Sequence, residues 1–138
     1  MKSLTDLNLK NKIVLLRLNL NVPIKDGQVK DDFRIRAILP TLEYCASKAK
    51  KVLILAHLGR PEDIDEKYSL LPVSDYPAKL MGKQIVFVDD CIGDSVKEAL
   101  ANTPDKTILF LENVRFHSGE MENSESFGKQ LIEFADVY

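Results

Sequence analysis

The sequence predicts an α/β protein, a three-layer α/β/α arrangement around a mainly parallel, Rossmann-like sheet. Three observations predict it. Four apolar runs of strand length recur along the 138 residues, at 13–18, 52–56, 85–88 and 108–111. Each is followed, directly or after a loop, by a segment with apolar residues at helical spacing. Such strand–helix alternation implies right-handed crossovers and parallel pairing. The run at 52–56 is continuously apolar rather than alternating, as expected of a strand covered on both faces. With 45% hydrophobic and 29% charged residues, the chain has the composition of a globular domain.

The elements follow in order. Residues 13–18 form the first strand. Asp26-Gly27 is a turn signal inside a loop. Asp31 and Asp32 are candidate N-caps for a helix over about residues 33–49. Its apolar stripe is Ile35, Ile38, Leu39, Leu42, Ala46 and Ala49. Pro40 is expected to kink that helix or to mark where its regular part begins. Residues 52–56 form the second strand. A short helix should run from near Pro72 to Gly82, whose lack of a side chain suits a left-handed cap, with Pro77 bending or shortening it. Residues 84–88 are the third strand, Asp94 caps a helix to about Asn102, and 107–111 is the fourth strand. A last helix runs from about Ser124 to Ala135 and carries Phe127, Leu131, Ile132 and Phe134. Asp136-Val137-Tyr138 begins a fifth strand. A three-residue strand cannot cover a sheet edge, so the chain is expected to be a piece of a longer protein or a natural truncation. A monomer is expected, with that open edge as the surface through which copies would associate.

Composition removes several function classes. A net charge of -2 supplies no electrostatic reason for binding nucleic acid or an anionic membrane. No apolar run approaches transmembrane length, and the start of the chain is too polar for a secretory signal. Cys45 and Cys91 make neither a disulfide framework nor a zinc set and read as reduced thiols of a cytoplasmic protein. There is no G-x-x-x-x-G-K-[ST] or G-x-G-x-x-G loop for nucleotide phosphates, and no Ser–His–Asp arrangement.

What remains is a pattern of cations and amides at strand ends. The first strand runs into Asn19-Leu20-Asn21, the second into His57-Leu58-Gly59-Arg60, and the fourth into Glu112-Asn113-Val114-Arg115. In an open parallel sheet, ligands bind outside the carboxyl ends of the strands, and guanidinium groups match carboxylate and phosphate in a bidentate way. Arg34 lies at the N-terminus of the first helix, itself an anion-favouring position. Asn19 and Asn21 share parity, so an extended backbone points both to one side. Gly59 permits close backbone approach. Arg36 is expected to pair with Asp31 or Asp32, Arg17 to be a structural ion-pair residue, and His117 to pack or lie on the surface. Glu120, Glu122 and Glu125 read as a solvated face. Arg60 has Glu62 and Asp63 as simple partners, and Arg115 has Glu112 or Glu120. These residues imply a site for a small, strongly anionic ligand.

Read in order, the segments also resemble phosphoglycerate kinase. Arg17-Leu18-Asn19-Leu20-Asn21-Val22-Pro23 resembles the family's R-V-D-F-N-V-P. Asp31-Asp32-Phe33-Arg34-Ile35-Arg36-Ala37 resembles D-D-x-R-I-R-A, and Ala56-His57-Leu58-Gly59-Arg60-Pro61 resembles S-H-L-G-R-P. Tyr68-Ser69-Leu70-Leu71-Pro72-Val73, Asp89-Asp90-Cys91-Ile92-Gly93 and Leu111-Glu112-Asn113-Val114-Arg115-Phe116-His117 also fit, so the match is collinear over nearly the whole chain.

The resemblance implies two α/β domains joined by a hinge. The first binds 3-phosphoglycerate or 1,3-bisphosphoglycerate, and the second binds ADP or ATP with Mg2+. Residues 1–138 would be part of the first, with the C-terminal nucleotide-binding domain absent and no cofactor expected on these residues. It implies the strand order 3-4-2-1, with the fifth strand beside the first. It sets Asn19 and Asn21, with Leu20 between them, against the glycerate carboxylate and hydroxyl. It sets His57, Arg60 and Arg115, with Leu58 and Gly59 of the same loop, around the ligand's phosphate. Arg34 would be the catalytic cation that stabilises the phosphoryl group in flight. Three departures stand out: Asn19 replaces the motif's aspartate, Ala49 replaces a glycine after the first helix, and Pro77 replaces an apolar helix residue. The expectation is a glycolytic phosphotransferase whose fragment alone is inactive. The alternatives are a non-catalytic triose-acid-binding module or a non-functional truncated product.

Overall fold

A computed structural model describes residues 1–138. Its centre is a four-stranded sheet of β1 (Ile13–Arg17), β4 (Lys51–Leu55), β5 (Ile85–Val88) and β6 (Ile108–Leu111), in the order β1-β4-β6-β5. All three pairings are parallel, with Val14 opposite Val52, Leu53 opposite Leu109 and Val86 opposite Leu109. This is the expected order. The fifth segment also takes its expected side: Val137 bridges Val14 in parallel, and the Leu15 N–H donates to the Val137 carbonyl at 2.9 Å. A single bridge is all that three residues supply.

The period-2 alternation of the strands builds the three layers. Val52, Ile54, Ile108 and Phe110 point into one core with Ile35, Leu42 and Cys45 of α1 (Phe33–Lys48) and Val73 of α2 (Leu71–Met81). Leu53, Leu55, Leu109 and Leu111 point into the other. There they meet Val96 of α3 (Asp94–Asn102) and Phe127 of α5 (Glu125–Ile132). Every residue of β4 and β6 is buried, as sandwiching between two helical layers demands.

Local expectations fare unevenly. Pro40 lies inside α1, which runs unbroken from Phe33 to Lys48. Pro77 likewise lies inside α2. Gly82 caps α2 in the left-handed region at φ 63°. Asp94 is not a cap: Gly93 holds that position, and Asp94 is the first helical residue. Asp32 sits at the cap of α1 without a side-chain cap bond, while Asp31 accepts from the Phe33 N–H at 3.0 Å. The last helix stops at Ile132, short of Ala135, and its cap is Ser124, which accepts from Phe127 N–H. Ala49 ends α1 in extended backbone, so that helix terminus needs no glycine. The Asp26-Gly27 turn closes a hairpin of β2 (Ile24–Lys25) and β3 (Gln28–Val29). A one-turn helix, α4 (Ser118–Met121), lies between β6 and α5.

Candidate functional site

The carboxyl ends of β1, β4 and β6 each release a loop, and hydrogen bonds tie the three together. Arg34, in the first turn of α1, donates through Nη1 to Asn19 Oδ1 at 3.3 Å and to the Asn21 carbonyl at 2.8 Å. Asn21 Oδ1 accepts from the Gly59 N–H at 3.0 Å. Arg115 Nη1 donates to the Gly59 carbonyl at 3.0 Å. An unbroken run of contacts therefore joins Asn19, Arg34, Asn21, Gly59 and Arg115 across three strand ends. The two asparagines do different work. Asn19 is exposed, whereas the Asn21 amide oxygen is committed to the glycine loop.

One acid organises the cations. Glu120 accepts from Arg17 Nη2 at 2.6 Å and from Arg115 Nε at 3.4 Å. Its side chain is only 11% exposed, which corrects its reading as part of a solvated face. Burial works to raise its carboxyl, but the hydrogen bond and charge of Arg17, then of Arg115, hold it below the usual range. Arg17 is thus the structural ion-pair residue expected, and Arg36 pairs with Asp32 at 2.9 Å. His57 is half-buried at the end of β4. Its imidazole is held below its ordinary pKa by burial first, then by the charges of Arg115 and Arg17, with a smaller push from Arg34. The imidazole and three guanidiniums therefore share one field.

The glycine loop is held by residues whose role the sequence reading did not assign. Gly59 has φ +61°, and a Cβ there would meet Tyr68 Cε1 at 2.5 Å. Asn113 is buried, and its amide donates to the Leu58 carbonyl at 2.8 Å and the Tyr68 carbonyl at 2.9 Å. Its Oδ1 accepts from the Arg115 N–H at 3.0 Å. Both donors and one of the two acceptor positions of that amide are used, a combination of donor and acceptor that neither Asp nor Leu can reproduce. Glu112 accepts from Ser69 Oγ at 2.6 Å and from the Leu70 N–H at 2.8 Å. An amide and an acid directly after a buried strand were the available signal.

Not every expected residue joins the cluster. Arg60 is exposed and lines a surface depression with Glu62, Asp63, Asp65, Lys67 and Tyr68. The side chains of Leu20 and Leu58 lie in the core, so backbone groups are what they can offer a ligand. His117 packs against Phe127 and bonds Asp90 at 2.7 Å. A cavity of about 640 Å³ lies at the opposite end of the sheet beside Lys83 and Lys106. Lys106 Nζ there donates to the Ser47 and Ala49 carbonyls.

Arg17 and Arg115 share the one Glu120 carboxylate, and Arg34 bonds only amide oxygens, which leaves the rim with excess positive charge that suits an anion. The Glu120 carboxylate is already divided between two arginines, so this group does not fit a nucleotide's Mg2+. The family model described as phosphoglycerate kinase matches residues 4–138. The chain belongs to the phosphoglycerate kinase family. It is similar to phosphoglycerate kinase of Pseudothermotoga lettingae, 46% identical over all of this chain and 36% of that protein. It is also similar to the protein named "Phosphoglycerate kinase, cytosolic" of Triticum aestivum, 43% identical over 99% of this chain and 34% of that one. The solved phosphoglycerate kinase of Pyrococcus horikoshii superposes with a TM-score of 0.84 at 31% identity, over 99% of this chain and 36% of that one. That of Coxiella burnetii gives 0.82 at 36% identity, over 96% and 33%. The chain thus spans about a third of the length of the relatives it matches. No helix is long and apolar enough to cross a membrane.

Proposed function

We propose that residues 1–138 are the part of a glycolytic phosphoglycerate kinase that holds the triose acid. In that reaction the 1-phosphoryl group of 1,3-bisphosphoglycerate passes to ADP, releasing 3-phosphoglycerate and ATP. The observation that supports it is the hydrogen-bonded run from Asn19 through Arg34, Asn21 and Gly59 to Arg115. It assembles an anion site from three strand ends of a chain in this family.

In this reading Asn19, with the exposed amide, and Asn21 meet the carboxylate and hydroxyl end, the backbone of Leu20 between them. Arg115 and His57 meet the 3-phosphate with the Leu58-Gly59 backbone, and Arg60 swings in from the surface when the anion arrives. Arg34 stabilises the charge that develops on the equatorial oxygens of the moving phosphoryl group. ADP or ATP and Mg2+ are held by sequence outside these residues, and the place of action is the cytoplasm.

Calorimetric titration of the purified 138-residue chain with 3-phosphoglycerate tests the reading. Saturable binding is expected, weakened at least about tenfold in Arg34→Ala and in Arg115→Ala, as loss of a charge-assisted bond implies. A coupled ATP assay on the same chain should show no turnover. No binding, or binding indifferent to both substitutions, overturns the site. A second reading, a non-catalytic acid-binding module, is favoured by the Asn19 amide, whose oxygen is already taken by Arg34. Transfer of an intact catalytic domain's activity by fusion with the rest of a relative's chain would remove it.

A further inference from the structure

The carboxyl ends of β5 and β6 carry a second chemical cluster that the anion site does not use. Asp90 and Cys91 follow β5, and His117 follows the turn after β6. One carboxylate oxygen, the Cys91 Sγ and a ring nitrogen of His117 all lie within 4.8 Å of one another. Asp90 Oδ1 accepts from the Cys91 N–H at 2.7 Å and meets His117 Nε2 at 2.7 Å. The His117 ring lies 5.1 Å from the Phe127 ring, which fixes its plane.

We propose that Asp90, Cys91 and His117 form a binding site for one borderline divalent transition-metal ion of the Zn2+ class. The donor set decides the class. Nitrogen, thiolate and carboxylate together suit Zn2+ and its neighbours, whereas Mg2+ and Ca2+ want oxygen ligands alone. Three protein ligands leave a fourth position for water, and the partly exposed side chains of Asp90 and His117 give it an entrance. Charge favours the ion as well. A divalent cation with one carboxylate and one thiolate is neutral overall, and the ion has to draw the proton from a thiol that burial first, and then the Asp90 charge, pushes up to about 12. Ligand atoms around a tetrahedral ion sit roughly 3.3–3.8 Å apart, from metal–ligand distances of about 2.0–2.3 Å. The Asp90–His117 contact must therefore open slightly and the thiol must close in. Both are loop adjustments, because the ligands follow strands instead of sitting within them. The binding step balances: the Cys91 S–H bond breaks, its proton leaves to solvent, and the sulfur pair forms the metal bond. The His117 ring proton that Nε2 donates to Asp90 passes through solvent to Nδ1 and frees the Nε2 lone pair. The Asp90 carboxylate and the lone pair of neutral His117 Nε2 complete the set.

Co2+ is the probe, added to the reduced, chelator-treated chain. The expected result is a thiolate-to-cobalt charge-transfer band with d–d absorption of tetrahedral intensity, saturating at one ion per chain. Zn2+ should erase it and Mg2+ in large excess should not. Cys91→Ser should abolish the charge-transfer band, and Cys45→Ser should leave it. His117→Asn and Asp90→Asn should each weaken Co2+ binding at least about tenfold, since each removes a direct ligand. Both of those side chains are partly exposed, so these variants hold the test if Cys91→Ser does not fold. No charge-transfer band with excess Co2+, a band that follows Cys45 instead of Cys91, or affinity unchanged in both His117→Asn and Asp90→Asn overturns the site.

Discussion

Gly59 shows how one residue's backbone sets the geometry of the whole cluster. Its N–H goes to Asn21 and its carbonyl to Arg115, so both peptide groups around it are bonded in opposite directions. That orientation requires φ +61°, in the left-handed region, where an L side chain is strained by about 1–3 kcal/mol. A Cβ there also falls 2.5 Å from the half-buried Tyr68 ring, which must shift. Gly59→Ala should therefore lower folding stability in urea by about 1–3 kcal/mol. In the proposed function it should also weaken 3-phosphoglycerate binding, because relieving the clash moves the Asn21 and Arg115 anchors. Unchanged stability in the variant would mean that the loop relaxes freely and sets nothing.

At the scale of elements, what the sequence reveals depends on how local the cause is. The four strands and their helices were legible because apolar runs and helical stripes are local patterns. The strand order came from the family resemblance, and the parallel register bears it out. The β2–β3 hairpin was missed because two-residue strands carry no periodicity, although Asp26 and Gly27, at φ 54° and 70°, form the turn such a hairpin needs. Arg34 and Arg115 were legible as cations at element ends. Glu120 was legible as a simple partner of Arg115, which it is, but not as the acid shared with Arg17, which lies 103 residues away. Asn113 was not legible, because an amide after a strand reads as turn chemistry. Lys51 belongs with these distant causes. It opens β4 yet is buried, with Nζ donating to the Leu100 and Thr103 carbonyls at the end of α3. It caps a helix from another element and compensates the negative end of that helix's dipole. Lys51→Met should cost about 2 kcal/mol, the worth of a charged donor to buried carbonyls. Amide exchange at the end of α3 should quicken more than exchange in β6. Equal acceleration in both would show a general packing loss instead of a lost cap.

For the whole molecule, the cluster that draws an anion also dictates how stability follows pH. His57 titrates in the folded state below its ordinary 6.5, because burial and then the charges of Arg115 and Arg17 disfavour imidazolium. Between the folded pKa and 6.5 the unfolded chain binds a proton that the folded chain refuses. Stability from this group is thus complete above 6.5 and lost as pH falls toward the folded value. Glu120 acts further down with the same sign. Its folded carboxyl lies below its ordinary 4.5 despite burial, through Arg17 and then Arg115, so its contribution is present above 4.5 and lost as pH falls through the folded value. Urea midpoints measured across about pH 5–7, the histidine range, should rise with pH in the wild type and rise less steeply in His57→Gln. The difference between the two isolates His57 from the many exposed carboxylates. Glu120→Gln should act differently. It leaves Arg17 and Arg115 without their shared carboxylate and should destabilise at neutral pH most of all, with the gap narrowing in acid as the wild-type carboxyl protonates. Parallel pH profiles for wild type and His57→Gln would show that neither burial nor the guanidiniums hold the imidazole below its ordinary value. One shared cationic rim would then have to be given up for separate ion pairs.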